Sequence, residues 1–470
     1  MIAARRLQRS FGEGLIAEAV DDLWEDWMRH ADEVLEDEAL ITTAYEALAQ
    51  RSRRSKTFGR PGVPAEVVLR MLLLKHARDW SYETVEREVR ANLVYRQFTR
   101  VGAEKVPDAK SMGRLARTLG PAVIEQLHQR VVAIAQEKKV VAGKRMRVDT
   151  TVVESNIHYP TDSTLLGDGL RVLTRTMKKI TVVAGTVGTK LRNRMRNVQH
   201  RLIEIGRASR SKKEAGKEKL KQAYVRLMRS AEQVVKQAQR FSAEVASGVK
   251  GAVEVKQQTV LEGCKQYLDT MIPRVQQVIR QTQARVVDGV TNFDGKLFSI
   301  FEPTTEIIRK GKAGKPNEFG KMVKIQEAEN QIVTAYEVYT KRPVDADLLV
   351  PAIAAHQQQL GRIPRLVAGD AGFYSAQNET KAHQAGVEQV VIPNHSTKSA
   401  ARKRHQRKRW FRKGQKWRTG SEGRISILKR RHGLDRSLYK GDSGMKRWVG
   451  LGVIADNLIN IGRYLARQKK

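Results

Sequence analysis

Apolar positions fall into two regimes along the chain. Between residues 13 and 130 their spacing is helical. Ile16, Val20, Leu23 and Trp27 step by three or four, as do Val85, Val89 and Leu93 behind Ser81, a residue suited to an N-cap. Gly59-Arg60-Pro61-Gly62 predicts a break before a helix over 65–78, and Pro107-Asp108 a break before a helix from Ser111. At 144–153 the pattern changes. In KRMRVDTTVV, the residues Met146, Val148, Val152 and Val153 predict a strand. The same bias returns in 286–301, with KLFSIFE, and in 322–340, KMVKIQEAENQIVTAYEVYT. Two short runs follow, RLVAGD at 365–370 and VEQVVIPN at 387–394. These give about five strands with helices between and after them, a mixed α/β domain.

A long helical stretch interrupts that domain. Leu191, Met195, Val198, Leu202 and Ile205 step by four and three, and so do Leu220, Tyr224, Leu227, Ala231, Val234, Ala238 and Phe241. Such seams predict coiled-coil-like packing. Gly206 to Gly216 reads as the turn between them, and Val260, Cys264, Tyr267 and Met271 form a third stripe. The prediction is a helical hairpin or three-helix coil over 166–285. Short connections favour packing within the chain, with dimerisation as the alternative. Because this segment separates two strands of one sheet, it must leave and return at nearly one point. Its cations, Arg192, Arg194, Arg196, Lys217, Lys219, Lys221 and Arg226, suit an arm that grips DNA or a partner subunit on the same DNA.

Charge narrows the functional class. The 470 residues carry a net +37, although 13–47 holds twelve acids and one arginine, so the remainder carries about +48. A surplus spread over several hundred residues fits a long nucleic-acid track better than one membrane-surface helix. RNA-binding proteins share this composition. No run of 18 apolar residues predicts a membrane span. MIAARRLQRSFGEG lacks the apolar centre of a secretory signal. Cys264 stands alone, which excludes an intrachain disulfide and suits a reducing cytoplasm, where a DNA-bound protein would join the nucleoid. With these charges, the short helices of 1–140 suggest a helix-turn-helix-like DNA-binding region; an ordinary helical bundle is the alternative. No GxxxxGK[ST] run points to ATP-driven chemistry.

Three carboxylates could carry chemistry. Asp149 lies at the end of a basic strand in RVDTTVVES, where it could hold a metal or merely cap a turn. Asp370 closes RLVAGDAGFYS among small residues that admit a ligand, or sits in a common Asp turn. Glu422 opens a helix whose face is marked by Ile425, Leu428 and His432; such a Glu is also favoured by the helix dipole alone. Together, two carboxylates at strand ends and a third on a following helix suit hard divalent cations, Mg²⁺ or Mn²⁺, and a pair of ions suits phosphodiester displacement. Residues 401–418 hold ten Lys/Arg and no acid, interleaved with Trp410, Phe411 and Trp417. That mixture fits phosphate contact and base stacking, or a solvated basic loop. His158, His395 and His432 lie near these motifs without HxH or CxxC spacing, so zinc is not indicated.

These residues resemble the DDE triad of bacterial insertion-sequence transposases. Arg418, Glu422 and Lys429 form the RxxxExxxxxxK pattern around the third carboxylate; Gln415 stands where that signature usually begins with Tyr. GDAGFYS is similar to the second-Asp motif through Asp370, Gly372 and Phe373, and VDTTVVESNIHYPTDS to the first-Asp motif of the group long labelled "not classified yet". The stretch from Gly59-Arg60-Pro61 to PDAKSMGRL resembles the helical domain that precedes such cores. The resemblance implies an RNase H-like α/β catalytic domain, 141–165 with 286–470, interrupted by the helical insertion 166–285 and preceded by the all-α region 1–140. It implies a transposase that cleaves transposon ends and transfers strands into target DNA, as a homodimer on double-stranded DNA with no membrane partner. Asp149, Asp370 and Glu422 would bind two Mg²⁺ or Mn²⁺ ions. Arg418 and Lys429 would contact DNA near the scissile phosphate, alongside the basic-aromatic residues Arg409, Trp410, Arg412, Lys413 and Trp417. The rivals are a metal-dependent nuclease of the same fold without strand transfer, and a non-catalytic DNA-binding descendant.

Overall fold

The computed structural model describes residues 2–5, 14, 18–51, 62–184, 189–211, 213–248, 255–309 and 316–468; Ile16 and Gly59-Arg60-Pro61 lie outside them. The chain divides into two compact units, 1–156 with 308–470, and 157–307.

Among the described residues the first unit opens with the α-helices α1 (Asp26–Val34), α2 (Glu38–Ala49), α3 (Ala65–Ala77), α4 (Tyr82–Ala91), α5 (Leu93–Phe98), α6 (Ala109–Thr118) and α7 (Pro121–Glu137). Their starts follow local chemistry. Asp37, Ser81 and Asp108 accept hydrogen bonds from the backbone N–H groups of Leu40, Thr84 and Ser111. Two sequence ladders break. Trp24 and Glu25 are extended, and the Glu25 carboxylate accepts the Trp27 indole N–H, so the described part of the first ladder is a 3-10 turn (Asp21–Leu23) followed by α1. Leu23 is consequently exposed. Asn92 is also extended and caps α5, which turns Leu93 outward while Val85 and Val89 stay buried.

A sheet follows, with β1 (Arg145–Ser155), β2 (Glu306–Arg309), β3 (Asn317–Glu327), β4 (Val333–Val338), β5 (Leu366–Ala368), β6 (Gln389–Val391) and β7 (Arg436–Ser437). The order is β2-β3-β1-β5-β6, with β4 on β3 and β7 on β1. β1 pairs antiparallel with β3 and β3 with β4; β1–β5 and β5–β6 are parallel. The run 322–340 is thus two strands joined by a turn in which Asn330 and Gln331 take positive φ. The expected strand in 286–301 is absent. There Leu297 exchanges both backbone hydrogen bonds with the Gln281 carboxamide, at 3.0 and 3.1 Å, and Ile300 is buried in the core of the second unit. The strand begins only at Glu306.

One face of the sheet, through Met146, Val148, Val367 and Val390, packs on α12 (Leu349–Leu360) and α13 (Ala376–Gln384). α14 (Ala400–Arg407), α15 (Arg409–Arg418), α16 (Gly420–Arg431) and α17 (Gly441–Gln468) follow in the chain. α17 is buried nearly all round from Gly444 to Gly462, as a helix between two layers must be. Met445, Val449 and Val453 pack on the opposite sheet face with Val153, Val323 and Ile325. Leu451, Ile454 and Leu458 join the core of the N-terminal helices. Asn457 adds a polar joint: it accepts the Val333 N–H and donates to the Val333 carbonyl, each at 2.8 Å. A Cβ at Gly462 would collide with the Trp27 backbone. Gly462→Ala should therefore cost about 1–3 kcal/mol, read as a lower urea midpoint with unchanged m; an unchanged midpoint would mean that α17 and α1 do not meet so closely.

Among the described residues the second unit holds four helices, α8 (Asp162–Ala184), α9 (Met195–Ala208), α10 (Glu214–Ala246) and α11 (Val255–Thr282). The turn between α9 and α10 spans 209–213, of which Lys212 lies outside the described residues. Val198 and Ile205, the α10 seam from Tyr224 to Phe241, and Cys264 and Met271 share one core with Leu166, Leu170, Leu173 and Met177 of α8. α8 is the helix that the hairpin-or-three-helix reading lacked. Tyr267 is exposed and Leu268 takes its place inside. Several cations of this unit are engaged internally: Arg226 pairs with Glu204, Lys217 with Glu214, and Lys221 donates to the Val287 carbonyl.

Candidate active site

Asp149 is the fifth residue of an eleven-residue central strand, flanked by β3 and β5, rather than a strand-end turn residue. The parallel register pairs Arg145 with Leu366, Met146 with Val367 and Arg147 with Ala368. Asp370 follows two residues after the last paired residue of β5, Ala368, as Asp149 follows Arg147 on β1. Side chains alternate across a sheet, so Arg147, Asp149 and Ala368 share a face. It is the face on which Phe411, Trp410 and Trp417 of α15 cover Ala368. Asp370 lies two residues past the end of β5 and accepts the Gly372 N–H at 2.9 Å, which opens a 3-10 turn (Ala371–Phe373).

Glu422 arrives on α16. This helix buries Ser421, Arg424 and Leu428, positions i, i+3 and i+7, and leaves Glu422 exposed. Ile425 is only half-buried, and His432 lies just past the helix end. The Ser421 hydroxyl lies 3.1 Å from Asp149 Oδ2 and 2.8 Å from the Arg418 carbonyl. Arg424 anchors the helix from behind in a 2.5 Å pair with buried Asp456. The structure thus pairs the Asp149 strand with the strand that leads into Asp370 and sets the start of the Glu422 helix against Asp149. The Glu422 carboxylate itself turns to Arg418, 3.0 Å away. Among the described residues no three His, Cys, Asp or Glu side chains converge closely enough to hold an ion as they stand.

Lys429 is half-buried two turns beyond Glu422 and on the same side of the helix. Arg409, Arg412 and Lys413 are exposed on α15. The aromatic residues are not open platforms. Phe411 is fully buried on Ala368 and Val391, Trp410 packs edge-on against His405 and Phe411, and the Trp417 ring lies 4.9 Å from the Arg147 guanidinium. An amphipathic helix lying on β5 and β6 must bury one side, and these rings provide it. His432 is buried between Asp456 and the His76 carbonyl, and His395 is exposed. In the second unit His158 faces Asp168 at 3.5 Å.

Sequence reasoning missed two groups. Asp345, from KRPVDADLLV, lies 3.1 Å from the Thr150 hydroxyl; a Cβ on Gly372 would sit 3.1 Å from Asp370 Oδ1 and 3.3 Å from Asp345 Oδ2. Nothing in its local sequence marks it. Arg147 was legible in principle, since it shares the face of Asp149. Its partner Glu327 is buried, which pushes that carboxyl above its ordinary value against the opposing pull of the Arg147 charge.

Comparison with known families supplies the decisive observation. Residues 21–118 match the family described as Transposase domain (DUF772), and residues 376–462 match the Transposase DDE domain. These two matches support an insertion-sequence DDE transposase. The first match spans α1 to α6 of this transposase, and the second contains Glu422, Arg418 and Lys429. Asp149 and Asp370 lie outside both matched segments. No curated protein and no solved structure matches the chain. No helix among the described residues is long and apolar enough to cross a membrane.

Proposed function

We propose that this transposase cleaves DNA at transposon ends and joins them to target DNA with Asp149, Asp370 and Glu422 as its catalytic carboxylates. The observation that supports the reading is the pairing of the Asp149 strand with β5, which leads into Asp370, together with Ser421, which ties the Glu422 helix to the Asp149 strand. The strand order supports an RNase H-like core. β4, β3 and β1 run antiparallel in sequence, and β5 and β6 add in parallel beyond β1. On this reading the sheet and its flanking helices, 141–156 with 308–470, form the catalytic part, 1–140 a DNA-binding region within the same unit, and the second unit, 157–307, an insertion that holds DNA or a partner subunit.

The donors fit a hard divalent cation, Mg²⁺ or Mn²⁺, because all three are carboxylates and none is a thiolate or imidazole. A pair of such ions would activate the attacking oxygen and stabilise the leaving one. The chain's own contribution is placement. Asp149 is held in the central strand and Asp370 in the turn that follows β5, whereas Glu422 must leave Arg418 to join them. Arg418, once released, is free to meet a phosphate, and Lys429 lies along the same side. Exposed Arg409, Arg412 and Lys413 extend that positive edge. A homodimer on DNA and residence at the nucleoid complete the proposal.

The test is strand transfer. A pre-cleaved transposon-end duplex with a free 3′-OH, incubated with Mg²⁺ and a target plasmid, should give joined product. Cleavage without joining would favour the nuclease reading. End binding should also be strongly salt-dependent: a protein neutralising about six or more phosphates loses roughly 10³-fold in affinity between about 50 and 200 mM salt. A flat plot of log K against log salt would mean that the charge serves another purpose.

A further inference from the structure

We infer that Arg147 is a positioning residue that fixes the start of the Glu422 helix against the Asp149 strand; this rests on the triad reading above. The Arg147 side chain is 7% exposed and its partner Glu327 1%. Its Nε donates to Glu327 Oε2 at 2.9 Å, and Nη2 donates to the second oxygen of the same carboxylate. That bidentate pair holds the guanidinium plane in one orientation. The remaining nitrogen, Nη1, donates to the Trp417 carbonyl in the last turn of α15. A helix end leaves its carbonyls without intrahelical partners and carries negative potential, so a cation there is well matched. The Trp417 ring stacks over the guanidinium at 4.9 Å. Gly420, the first residue of α16, has no room for a Cβ, which would strike Arg147 Nη1. One residue later Ser421 meets Asp149, and Glu422 follows.

The guanidinium therefore grips Trp417 and abuts Gly420, which bracket the junction of α15 and α16. Its other end is anchored on β3 through Glu327, next to the strand that carries Asp149. Strand β1 supplies Asp149 on the same face two residues later. Arg147 sets the distance over which Glu422 must reach to complete the carboxylate row. Its role is exerted through the helix, without contact to DNA.

The test replaces the buried pair by apolar residues, Arg147→Met with Glu327→Leu, an exchange that often leaves stability unchanged or improved. Arg147→Lys serves as a second variant that keeps the charge but loses the forked geometry. Amide hydrogen exchange and Mn²⁺ titration are read in the full chain, with Glu422→Gln in parallel. Exchange at 419–423 should speed up about tenfold or more in the double variant while the sheet stays protected. Mn²⁺ affinity should fall ~10–100-fold, the usual loss when a group orienting a ligand is removed, with end binding within about twofold. Arg147→Lys should fall between. Unchanged exchange at 419–423, or faster exchange with wild-type Mn²⁺ affinity where Glu422→Gln loses affinity, overturns the proposal. If Glu422→Gln leaves Mn²⁺ affinity untouched while exchange quickens in the double variant, Arg147 does position the helix and the triad reading is what falls.

Discussion

Asp370→Asn and Glu422→Gln should each lower end cleavage by about 10³-fold or more, because metal-ion stabilisation of a transition state is worth several kcal/mol and about 1.4 kcal/mol is a factor of ten. Both substitutions keep the shape of the side chain and remove its charge. End binding should survive, since phosphate contacts come from Lys and Arg. Glu422→Gln also weakens the pair with Arg418, so its DNA affinity should stay equal or rise slightly. Gel-shift and cleavage assays on one end duplex separate the two effects. A variant that binds and cleaves as wild type would remove that residue from the site.

Removal of residues 1–140 should abolish folding of the first unit. Leu451, Ile454 and Leu458 of α17 share a core with Trp27, Met28, Leu72, Ile124 and Leu127. His128 reaches the Val333 carbonyl of β4 at 2.8 Å, and its burial pushes the imidazole down to about 4, so it stays neutral at ordinary pH. Each large apolar side chain uncovered forfeits about 1.5–3 kcal/mol, and many are uncovered at once against a typical total stability of about 5–15 kcal/mol. The fragment 141–470 should show no cooperative thermal transition in near-UV circular dichroism. A cooperative transition would mean that the catalytic sheet stands without its N-terminal helices.

How legible these features were follows from their range. The Asp149 strand and the strand before Asp370 announced themselves through an apolar alternation and a short apolar run, and the seams of α9 and α10 through heptad spacing. Both are local patterns. KLFSIFE carried the same alternation, yet its backbone is satisfied by Gln281, a partner that no local pattern reveals. Helix α8 went unread although Leu166, Leu170, Leu173, Met177 and Ile180 step by four and three as the other seams do. The aromatic residues of α15 looked like stacking platforms beside so many cations, but the helix needs them to cover Ala368 and Val391. Asp345 and Arg147 gain meaning only from partners in other strands and helices.

The central claim is that three carboxylates far apart in sequence hold the reactive cations. Anomalous diffraction at the manganese edge, from crystals of the full chain with a transposon-end duplex and Mn²⁺, tests it most directly. The account predicts anomalous peaks between Asp149 and Asp370, with Glu422 released from Arg418 and turned toward them. Peaks elsewhere, or a Mn²⁺-saturated complex in which Glu422 still pairs with Arg418 and touches no ion, would contradict it.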